Sequence, residues 1–386
     1  MVRAKTSLAI FALAIVLGHE EMPNQGPATR PDASIQSINL GPVVTGSAAD
    51  DRLQSMSDAS RPLDSISSAP KPGALSDVIQ RAEAQLLSVE VTSDLLNRTL
   101  AEDEIELGDV TTQSMIGVLE VLVGSFVARQ SGVLAGLQPL IKAIGQTKWS
   151  SDISIEPALA DGDRVAAGQE IALVTGKSGV ALELERSVLN LLCLGSGVAS
   201  LTSKFVEAVA HTKAVICGTR KTIPGLRAWQ KYAVICGGGE PHRMSLADAA
   251  MFKDNHLAGI KVTDLADRVR TAAREARRSR PLKFVSVEID TLDQLKALLD
   301  VEDGLVDIAL LDNMSVDRLA DCVALRDQSR SHLQLEATGN VTLANVAELA
   351  ESGVDRISTG AITHSAQWLD IGFDIDPKAA LRSGAR

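Results

Sequence analysis

The stretch FVSVEIDTLDQLKALLDVEDGLVDIALLDNMSVDRLADCVALRDQSRSHLQLEATGNVTLANVAELAESGVDRISTGA, residues 284–361, decides the fold of this chain. Four apolar runs, at 284–287, 307–311, 333–335 and 355–357, alternate in it with segments that have the apolar spacing of helices, such as 292–299 and 341–352. Continuous apolar strands that alternate with amphipathic helices indicate a parallel sheet covered by helices.

Two further strand-like runs precede this stretch, at 214–217 and 249–252. Six strand–helix units fit an α/β barrel, either closed or incomplete. In a barrel the active site forms where the strands end, and every run here is followed by polar, charged or small residues. Those residues are therefore the candidate site.

The residues at or near the strand ends fall into three chemical groups. Clustered cations in an acidic chain favour an anionic ligand. Carboxylates suit sugar hydroxyls, a divalent metal or the positive charge that develops on a ribose carbon, and amides at a helix start suit phosphate. The cations are Arg186, Arg220, Lys221, His242, Arg243 and Lys253; the carboxylates are Glu288 and Asp312; the small turns are Thr338-Gly339-Asn340 and Thr359-Gly360-Ala361. Together they predict a site for a carboxylate-rich small molecule, a ribose and phosphate groups.

The chain before these units has a different pattern. It is helical near Val78 and Ile79, then shows short strand-like runs at 117–123, 132–136 and 169–174, and then a long apolar helix at about 181–210. We predict a disordered extension over residues 1–75, a small α+β domain over 76–190, the barrel over 191–365, and a C-terminal segment, 366–386, that returns to the small domain.

Composition limits the function classes. The chain has 386 residues, of which 45% are hydrophobic and 23% charged, so it is globular rather than disordered or fibrous. A net charge of −11 argues against nucleic-acid and membrane-surface binding. Four widely separated cysteines predict reduced core thiols in a cytoplasmic protein. An apolar run at residues 8–17 after Arg3 and Lys5 leaves export as the alternative.

Three local motifs are predicted to be structural. The segment Gly176-Lys177-Ser178 lacks the first glycine of a phosphate-binding P-loop. The segment Gly195-Ser196-Gly197 indicates a tight turn or close packing rather than a dinucleotide site. Residues Asp161-Gly162-Asp163 indicate a turn.

Several segments closely resemble the quinolinate phosphoribosyltransferase family, also called carboxylating nicotinate-nucleotide pyrophosphorylase (NadC-like). They are residues 219–227 (TRKTIPGLR), 231–234 (KYAV), 237–239 (GGG), 242–244 (HRM), 253–256 (KDNH), 311–314 (LDNM) and 360–365 (GAITHS). The resemblance runs from about residue 78 to residue 374. It implies an α+β open-sandwich domain joined to an incomplete, TIM-like α/β barrel. It also implies a homodimer, or a higher oligomer, whose active sites are shared between subunits.

The resemblance implies a reaction and a role for each site residue. With Mg²⁺, quinolinate and phosphoribosyl pyrophosphate would give nicotinate mononucleotide, pyrophosphate and carbon dioxide, a step of NAD biosynthesis. The quinolinate carboxylates would be held by Arg186 of the neighbouring subunit, Arg220, His242, Arg243 and Lys253. The phosphoribosyl group would be bound by Thr219, Lys221, Glu288, Asp312 and the turns 338–340 and 359–361, and Glu288 and Asp312 would bind the metal through substrate or water. The resemblance makes Lys221, Lys253, Glu288 and Asp312 the catalytic candidates.

Three positions depart from the family pattern: Gly218 stands where Asp is usual, Pro241 where Asn is usual, and Thr338 where Ser is usual. Pro-His-Arg also occurs in ModD-like paralogues linked to molybdenum transport, which lack the Lys-Asp-Asn-His run found here at Lys253. A paralogue of that kind, a non-catalytic anion-binding protein, and an aldolase with Lys253 as Schiff-base nucleophile are the alternatives.

Overall fold

The computed structural model describes residues 74–115, 121–329 and 331–377. The helices in these ranges are α1 (Ala74–Leu86), α2 (Val89–Glu102), α3 (Val110–Met115), α4 (Leu137–Ile144), α5 (Ser178–Val209), α6 (Arg227–Cys236), α7 (Asp254–Leu257), α8 (Val262–Ser279), α9 (Leu292–Leu299), α10 (Val316–Ser329), α11 (Val346–Glu351) and α12 (Ala361–His364). The strands are β1 (Val121–Ala128), β2 (Gly132–Val133), β3 (Ile153–Pro157), β4 (Arg164–Val165), β5 (Glu170–Lys177), β6 (Val215–Gly218), β7 (Ala250–Phe252), β8 (Val285–Ile289), β9 (Ile308–Asp312), β10 (Gln334–Thr338), β11 (Arg356–Thr359) and β12 (Ile371–Ile375). The predicted extension lies, up to residue 73, outside the described residues.

A six-stranded parallel sheet forms the larger part of the described chain. Its strand order is β6-β11-β10-β9-β8-β7, so that the first strand pairs with the last and the others follow in sequence order. The predicted parallel α/β arrangement is thus confirmed. Strands β8 and β9 consist almost wholly of buried residues, because both faces of the sheet are covered.

The strands run further than their apolar runs suggested. Glu288 lies within β8, and Asp312, Thr338 and Thr359 are the last residues of β9, β10 and β11. Helix α9 has the predicted bounds, 292–299, and a capping box between Thr291 and Gln294 fixes its start. The helix predicted from residue 341 is shorter at its start, because the side chain of Asn345 accepts a hydrogen bond from the amide of Thr342 and a turn precedes α11.

A four-stranded antiparallel sheet, β12-β1-β5-β3, forms the second layer, next to the short β2–β4 pair. Of the predicted strand at 117–123, only its last three residues fall in β1, which continues to Ala128; residues 116–120 are not described. The run at 132–136 is a strand only over β2. Strand β12 brings the chain back to pair with β1 after the last unit of the parallel sheet.

Helix α5 connects the two sheets and matches the predicted long apolar helix. It is apolar and long enough to cross a membrane, but 78% of its most apolar window is buried inside the protein, which marks it as a core helix. Its glycines serve close packing, as predicted. A Cβ atom on Gly197 would lie 2.1 Å from the carbonyl oxygen of Gln367, and one on Gly195 would lie 2.7 Å from that of Ala135.

The cysteines and the turn at Asp161 also match their predictions. All four cysteines are unpaired and buried. The carboxylate of Asp161 accepts hydrogen bonds from the amide of Leu137, at the start of α4, and from the hydroxyl of Tyr232. The turn therefore attaches the small-domain residues to helix α6.

Candidate active site

The carboxyl ends of the parallel strands lie side by side and bring most of the predicted site residues to one edge of the sheet. Thr338 is in register with Asp312, Thr359 with Gly218, and Phe252 with Val287. The strand ends and the residues directly after them carry Arg220, Lys221, Lys253, the two carboxylates and the small turns, while His242 and Arg243 lie in the loop before β7. Seven separate stretches of sequence thus contribute to one face: 219–221, 242–243, 253, 288, 312, 338–340 and 359–361.

Two arginines form the centre of a cationic pocket. Arg220 follows β6, and Arg243 lies in the loop before β7. The buried Nε atom of Arg220 has no hydrogen-bond partner among the described residues. Burial, together with the charge of Arg220, lowers the pKa of Arg243. Two guanidinium groups that repel each other and have an unused donor favour an anionic ligand that can accept several hydrogen bonds.

His242, beside these arginines, faces a buried carboxylate inside the sheet. The backbone of His242 is left-handed, with φ of 51°, and its Nε2 atom lies 3.2 Å from Oε1 of Glu336. Neither atom has a hydrogen-bond partner of good geometry among the described residues, so the two groups are close without a well-formed hydrogen bond between them. The ring packs edge-on against Phe284, with centroids 4.9 Å apart. These contacts fix the imidazole beside the cationic pocket.

Glu336 belongs to a chain of buried charges that the sequence analysis did not identify. Its Oε2 accepts a hydrogen bond from Nε of Arg356 at 3.1 Å, and the same guanidinium lies 2.7 Å from Glu240. Burial opposes ionisation of Glu336, but His242, Arg356 and Ser358 outweigh it and lower the pKa of Glu336 to about 2. Glu336 therefore stays ionised. The sequence signal was one charged residue in each of two strands, at the centre of β10 and at the start of β11.

The carboxylates Glu288 and Asp312 lie next to Lys253. The ammonium of Lys253 is 2.6 Å from Oε2 of Glu288, whose side chain is 9% exposed, whereas that of Lys253 is 44% exposed. Burial, and then the like charges of Glu288 and Asp290, raise the pKa of Asp312. A cation bound here would relieve that repulsion.

Asn313 orients Asp312 and was missed as a site residue. Its amide nitrogen donates to Oδ2 of Asp312 at 2.8 Å, and its side-chain oxygen accepts from Nδ2 of Asn340 at 3.0 Å. Both asparagines have left-handed backbones. The φ of Gly339 is 88°, which favours glycine, and a Cβ atom there would lie 2.3 Å from the side-chain oxygen of Asn313, which would have to move. The turn after Thr338 does not enter a helix directly, which corrects the expectation of a helix start at that turn.

The turn after β11 does enter a helix, α12, and contacts Lys221. The hydroxyl of Thr363 donates to the carbonyl of Lys221 at 2.8 Å. A Cβ atom on Gly360 would lie 2.9 Å from both the Lys221 side chain and the ring of His364. The amide of Ala361 already donates to the hydroxyl of Thr359 at 3.1 Å. Of the backbone amides predicted to bind phosphate at this turn, that of Ala361 is therefore already hydrogen-bonded within the turn.

Two predicted residues lie in simpler surroundings. The hydroxyl of Thr219 accepts a hydrogen bond from the amide of Lys221 at 3.1 Å and shapes the loop after β6. Arg186 lies near the start of α5, with its side chain 65% exposed and 3.5 Å from Glu185. No contact among the described residues joins Arg186 to the cations at the sheet edge. The described residues also include no cluster of three or more His, Cys, Asp or Glu side chains able to hold a metal.

Comparisons with known proteins agree with this arrangement. Residues 109–196 match the quinolinate phosphoribosyl transferase N-terminal domain, and residues 198–374 match the C-terminal domain of the same family. The chain is 40% identical over 287 residues, 74% of its length and 98% of the relative's, to the carboxylating nicotinate-nucleotide pyrophosphorylase of Mycobacterium leprae. It is 35% identical to the chloroplastic carboxylating nicotinate-nucleotide pyrophosphorylase of Arabidopsis thaliana, over 76% of this chain and 85% of that one.

Solved structures show the same similarity. The nicotinate-nucleotide pyrophosphorylase of Francisella tularensis superposes with a TM-score of 0.67 at 31% identity, over 75% of this chain and 97% of that one. The enzyme of the same name from Ehrlichia chaffeensis gives a TM-score of 0.65 at 33% identity, over 74% and 98%.

Proposed function

The chain belongs to the quinolinate phosphoribosyltransferase family, and we propose that it transfers the phosphoribosyl group of phosphoribosyl pyrophosphate to quinolinate. The products are nicotinate mononucleotide, pyrophosphate and carbon dioxide, a step in NAD biosynthesis. The observation that carries the proposal is the pairing of two subsites at one sheet edge. The Arg220–Arg243 pocket suits a dianion, and the Glu288–Asp312 pair suits a ribose and a metal.

The quinolinate subsite consists of Arg220, His242, Arg243 and Lys253. Quinolinate carries two adjacent carboxylates, which can accept from the free Nε of Arg220 and from the guanidinium of Arg243. Guanidinium groups bind carboxylates through two parallel hydrogen bonds, which fixes the plane of the pyridine ring. The ring nitrogen is then held in one direction, toward the ribose carbon.

The phosphoribosyl subsite consists of Lys221, Glu288, Asp312, Thr219 and the turns 338–340 and 359–361. Magnesium binds proteins through one or two carboxylates together with substrate phosphates. The carboxylates Glu288 and Asp312 fit that habit, since Asp312 is a partly desolvated carboxylate beside like charges. They would hold Mg²⁺ directly or through water, and the ion would neutralise charge on the pyrophosphate.

The residues support a reaction in two stages. The bond between the ribose carbon and pyrophosphate loosens, and Glu288 and Asp312 stabilise the positive charge that develops on that carbon, while Lys221 stabilises the leaving oxygen. The ring nitrogen then supplies the electron pair of the new bond. Its positive charge draws in the electron pair left when the adjacent carboxylate departs as carbon dioxide, and a proton takes the vacated position. No covalent bond to the protein is needed.

The quaternary structure belongs to the same proposal. The order of the parallel sheet, in which β6 pairs with β11 while β6 and β7 share no ladder among the described residues, supports an incomplete α/β barrel. Arg186, exposed and without a contact to the other cations among the described residues, suits a homodimer in which it enters the site of the neighbouring subunit. We place the protein in the cytoplasm, because its four cysteines are all reduced and buried.

A direct assay tests the proposal. The purified full chain is incubated with quinolinate, phosphoribosyl pyrophosphate and Mg²⁺, and nicotinate mononucleotide and pyrophosphate are measured by chromatography. We expect equal amounts of both products and none without quinolinate. The matched control replaces quinolinate by nicotinate, which lacks the carboxylate beside the nitrogen, and it should react at least about 100-fold more slowly because half of the charge-assisted contacts are lost. Equal rates with the two acids would refute the quinolinate assignment.

A further inference from the structure

Helix α6 connects the site to the rest of the protein through four consecutive side chains. The indole of Trp229 donates to the carbonyl of Leu191 on α5 at 3.0 Å, and the side-chain amide of Gln230 donates to the carbonyl of Thr363 at 2.8 Å. Tyr232 donates to Asp161 at 2.6 Å. Successive helix residues point about 100° apart, so each reaches a different element. The remaining residue of the four, Lys231, points toward the loops that carry the two arginines of the cationic pocket.

Lys231 is fully buried, and its ammonium joins two loops. Its Nζ atom donates to the carbonyl of Gly218 at 2.7 Å and to the carbonyl of Pro241. Gly218 ends β6 and is followed by Thr219, Arg220 and Lys221. Pro241 is followed by His242 and Arg243. One side chain thus binds the residue before each of the two cation-bearing segments.

Positions 218 and 241 both depart from the family pattern, in which Asp is usual at the first and Asn at the second. Here the ammonium contacts only their backbone carbonyls, which any residue at 218 and 241 supplies. A Cβ atom on Gly218 would meet its nearest neighbour, Val234, at an ordinary 3.4 Å. The hydrogen bonds by which Lys231 joins the two loops therefore do not depend on the Asp and Asn side chains that this chain lacks at positions 218 and 241.

The ammonium group of Lys231 easily loses its proton. Burial lowers the pKa of Lys231 to about 7. The ionisable groups that face it are Cys217, Arg227, Asp248 and Glu336, of which Arg227 lowers the pKa further and the others raise it. Both acceptors of its hydrogen bonds are neutral carbonyls. In the described part of the protein, no carboxylate is in direct contact with Nζ to hold the proton.

We propose that Lys231 is a positioning residue for quinolinate: its ammonium holds the loop of Arg220 and the loop of His242 and Arg243 at the separation that the two substrate carboxylates require. This inference rests on the proposed function. It adds a residue that does not touch the substrate but sets the geometry of those that do.

The role couples quinolinate binding to a proton. A dianion beside Lys231 favours its charged form, so the complex holds the proton to higher pH than the free enzyme does. Quinolinate affinity is therefore constant below about pH 7, and it falls as the pH rises above the free-enzyme pKa. The phosphoribosyl donor is bound mainly by Glu288, Asp312 and the turns 338–340 and 359–361, so its affinity should change less, through Thr219 and Lys221, which share the loop of Arg220.

Steady-state kinetics of wild type and Lys231→Met between pH 6.5 and 8.5 test the proposal. At pH 7 we expect the KM for quinolinate to rise at least about tenfold in the variant, with the KM for phosphoribosyl pyrophosphate within about threefold. From pH 7 to 8.5 the wild-type KM for quinolinate should rise at least about fivefold, and that of the variant less than about twofold. A folded variant with a wild-type KM and pH profile would overturn the proposal.

Trp229→Phe is the matched control, because it removes a buried hydrogen bond from the same helix but from the side facing α5. It should lower the melting temperature and leave the pH profile of the KM for quinolinate unchanged. If Trp229→Phe reproduced the Lys231→Met kinetics, Lys231 would have only a general structural role.

Calorimetry of the wild-type chain covers the case in which Lys231→Met does not fold. Binding of quinolinate at pH 8, measured in two buffers of different ionisation enthalpy, should take up at least about half a proton. Uptake below about a tenth of a proton would overturn the inference. Wild type that forms no product from quinolinate would refute the proposed function and this inference with it, whereas active wild type with unaffected Lys231 variants refutes this inference alone.

Discussion

Replacing Glu336 by glutamine should destabilise the protein strongly, although the two side chains have nearly the same shape. The carboxylate is fully buried, accepts a hydrogen bond from Arg356 at 3.1 Å and lies 3.2 Å from His242. The neutral amide would leave Arg356 with Glu240 and Cys217 as its remaining neighbours. It would also turn an N–H group toward His242 or toward Arg356, whose guanidinium has no acceptor.

Two lines of reasoning give the size of the loss. Removing one partner of a buried ion pair costs about 3–5 kcal/mol. The fall of the Glu336 pKa from 4.5 to about 2 corresponds to about 3 kcal/mol at about 1.36 kcal/mol per pKa unit. Because the folded-state pKa is depressed, this stabilisation is fully present above pH 4.5. It declines as the pH falls toward 2.

Urea unfolding of wild type and Glu336→Gln, followed by tryptophan fluorescence, measures the difference. We expect about 3 kcal/mol at pH 7 and at pH 5.5, decreasing to about 2 kcal/mol at pH 3.5. The control is Glu83→Gln, because Glu83 is also buried but pairs with a half-exposed Lys142 at 2.7 Å; it should cost about 1 kcal/mol or less. A loss of stability below about 1 kcal/mol for Glu336→Gln at pH 7 would show that Arg356 and His242 do not stabilise the ionised carboxylate of Glu336 as argued here.

Three further predictions concern activity. Lys253→Ala should raise the KM for quinolinate by roughly 30-fold or more, because it removes one partner of a desolvated contact with the substrate. Glu288→Ala should, for the same reason, act mainly on use of the phosphoribosyl donor. Steady-state kinetics with each substrate varied separates the two effects, and a KM of Lys253→Ala within about threefold of wild type would contradict the quinolinate assignment. Deleting the residues before Ser76 should leave turnover and melting temperature nearly unchanged, and a truncated chain that fails to fold would disprove the domain boundary. Mixing inactive Arg186→Ala chains with inactive Lys221→Ala chains should restore activity, because a mixed dimer has one site with both residues intact. Subunit exchange is verified separately. A mixture no more active than its two components would place Arg186 in the site of its own chain.

The sequence predicted the parallel sheet well because its strands are built around apolar runs, most fully in β6 and β9, as burial on both faces requires. The ends of the strands were predicted less well. Glu288, Asp312 and Thr359 continue the ladders of β8, β9 and β11 although they are polar, because their backbones pair with neighbouring strands. Hydropathy alone places a strand end where polarity begins, which at an active site comes too early.

The same reasoning explains which site residues were found and which were missed. Arg220 and Lys253 were found because they follow strands, and Arg220 has a buried donor without a partner in the described chain. Glu336 and Arg356 were missed because they are buried in strands and pair with each other and with the loop residues His242 and Glu240, which are distant in sequence. Lys231 was recognised only as part of a family segment, since no local pattern shows that its Nζ atom meets the carbonyls of Gly218 and Pro241. The groups that bind substrate lie at or beside strand ends, whereas Glu336 and Lys231, which orient such groups, are buried and contact residues distant in sequence. A single sequence can therefore identify the first kind from position and charge, but the second kind becomes visible only when the strands are assembled.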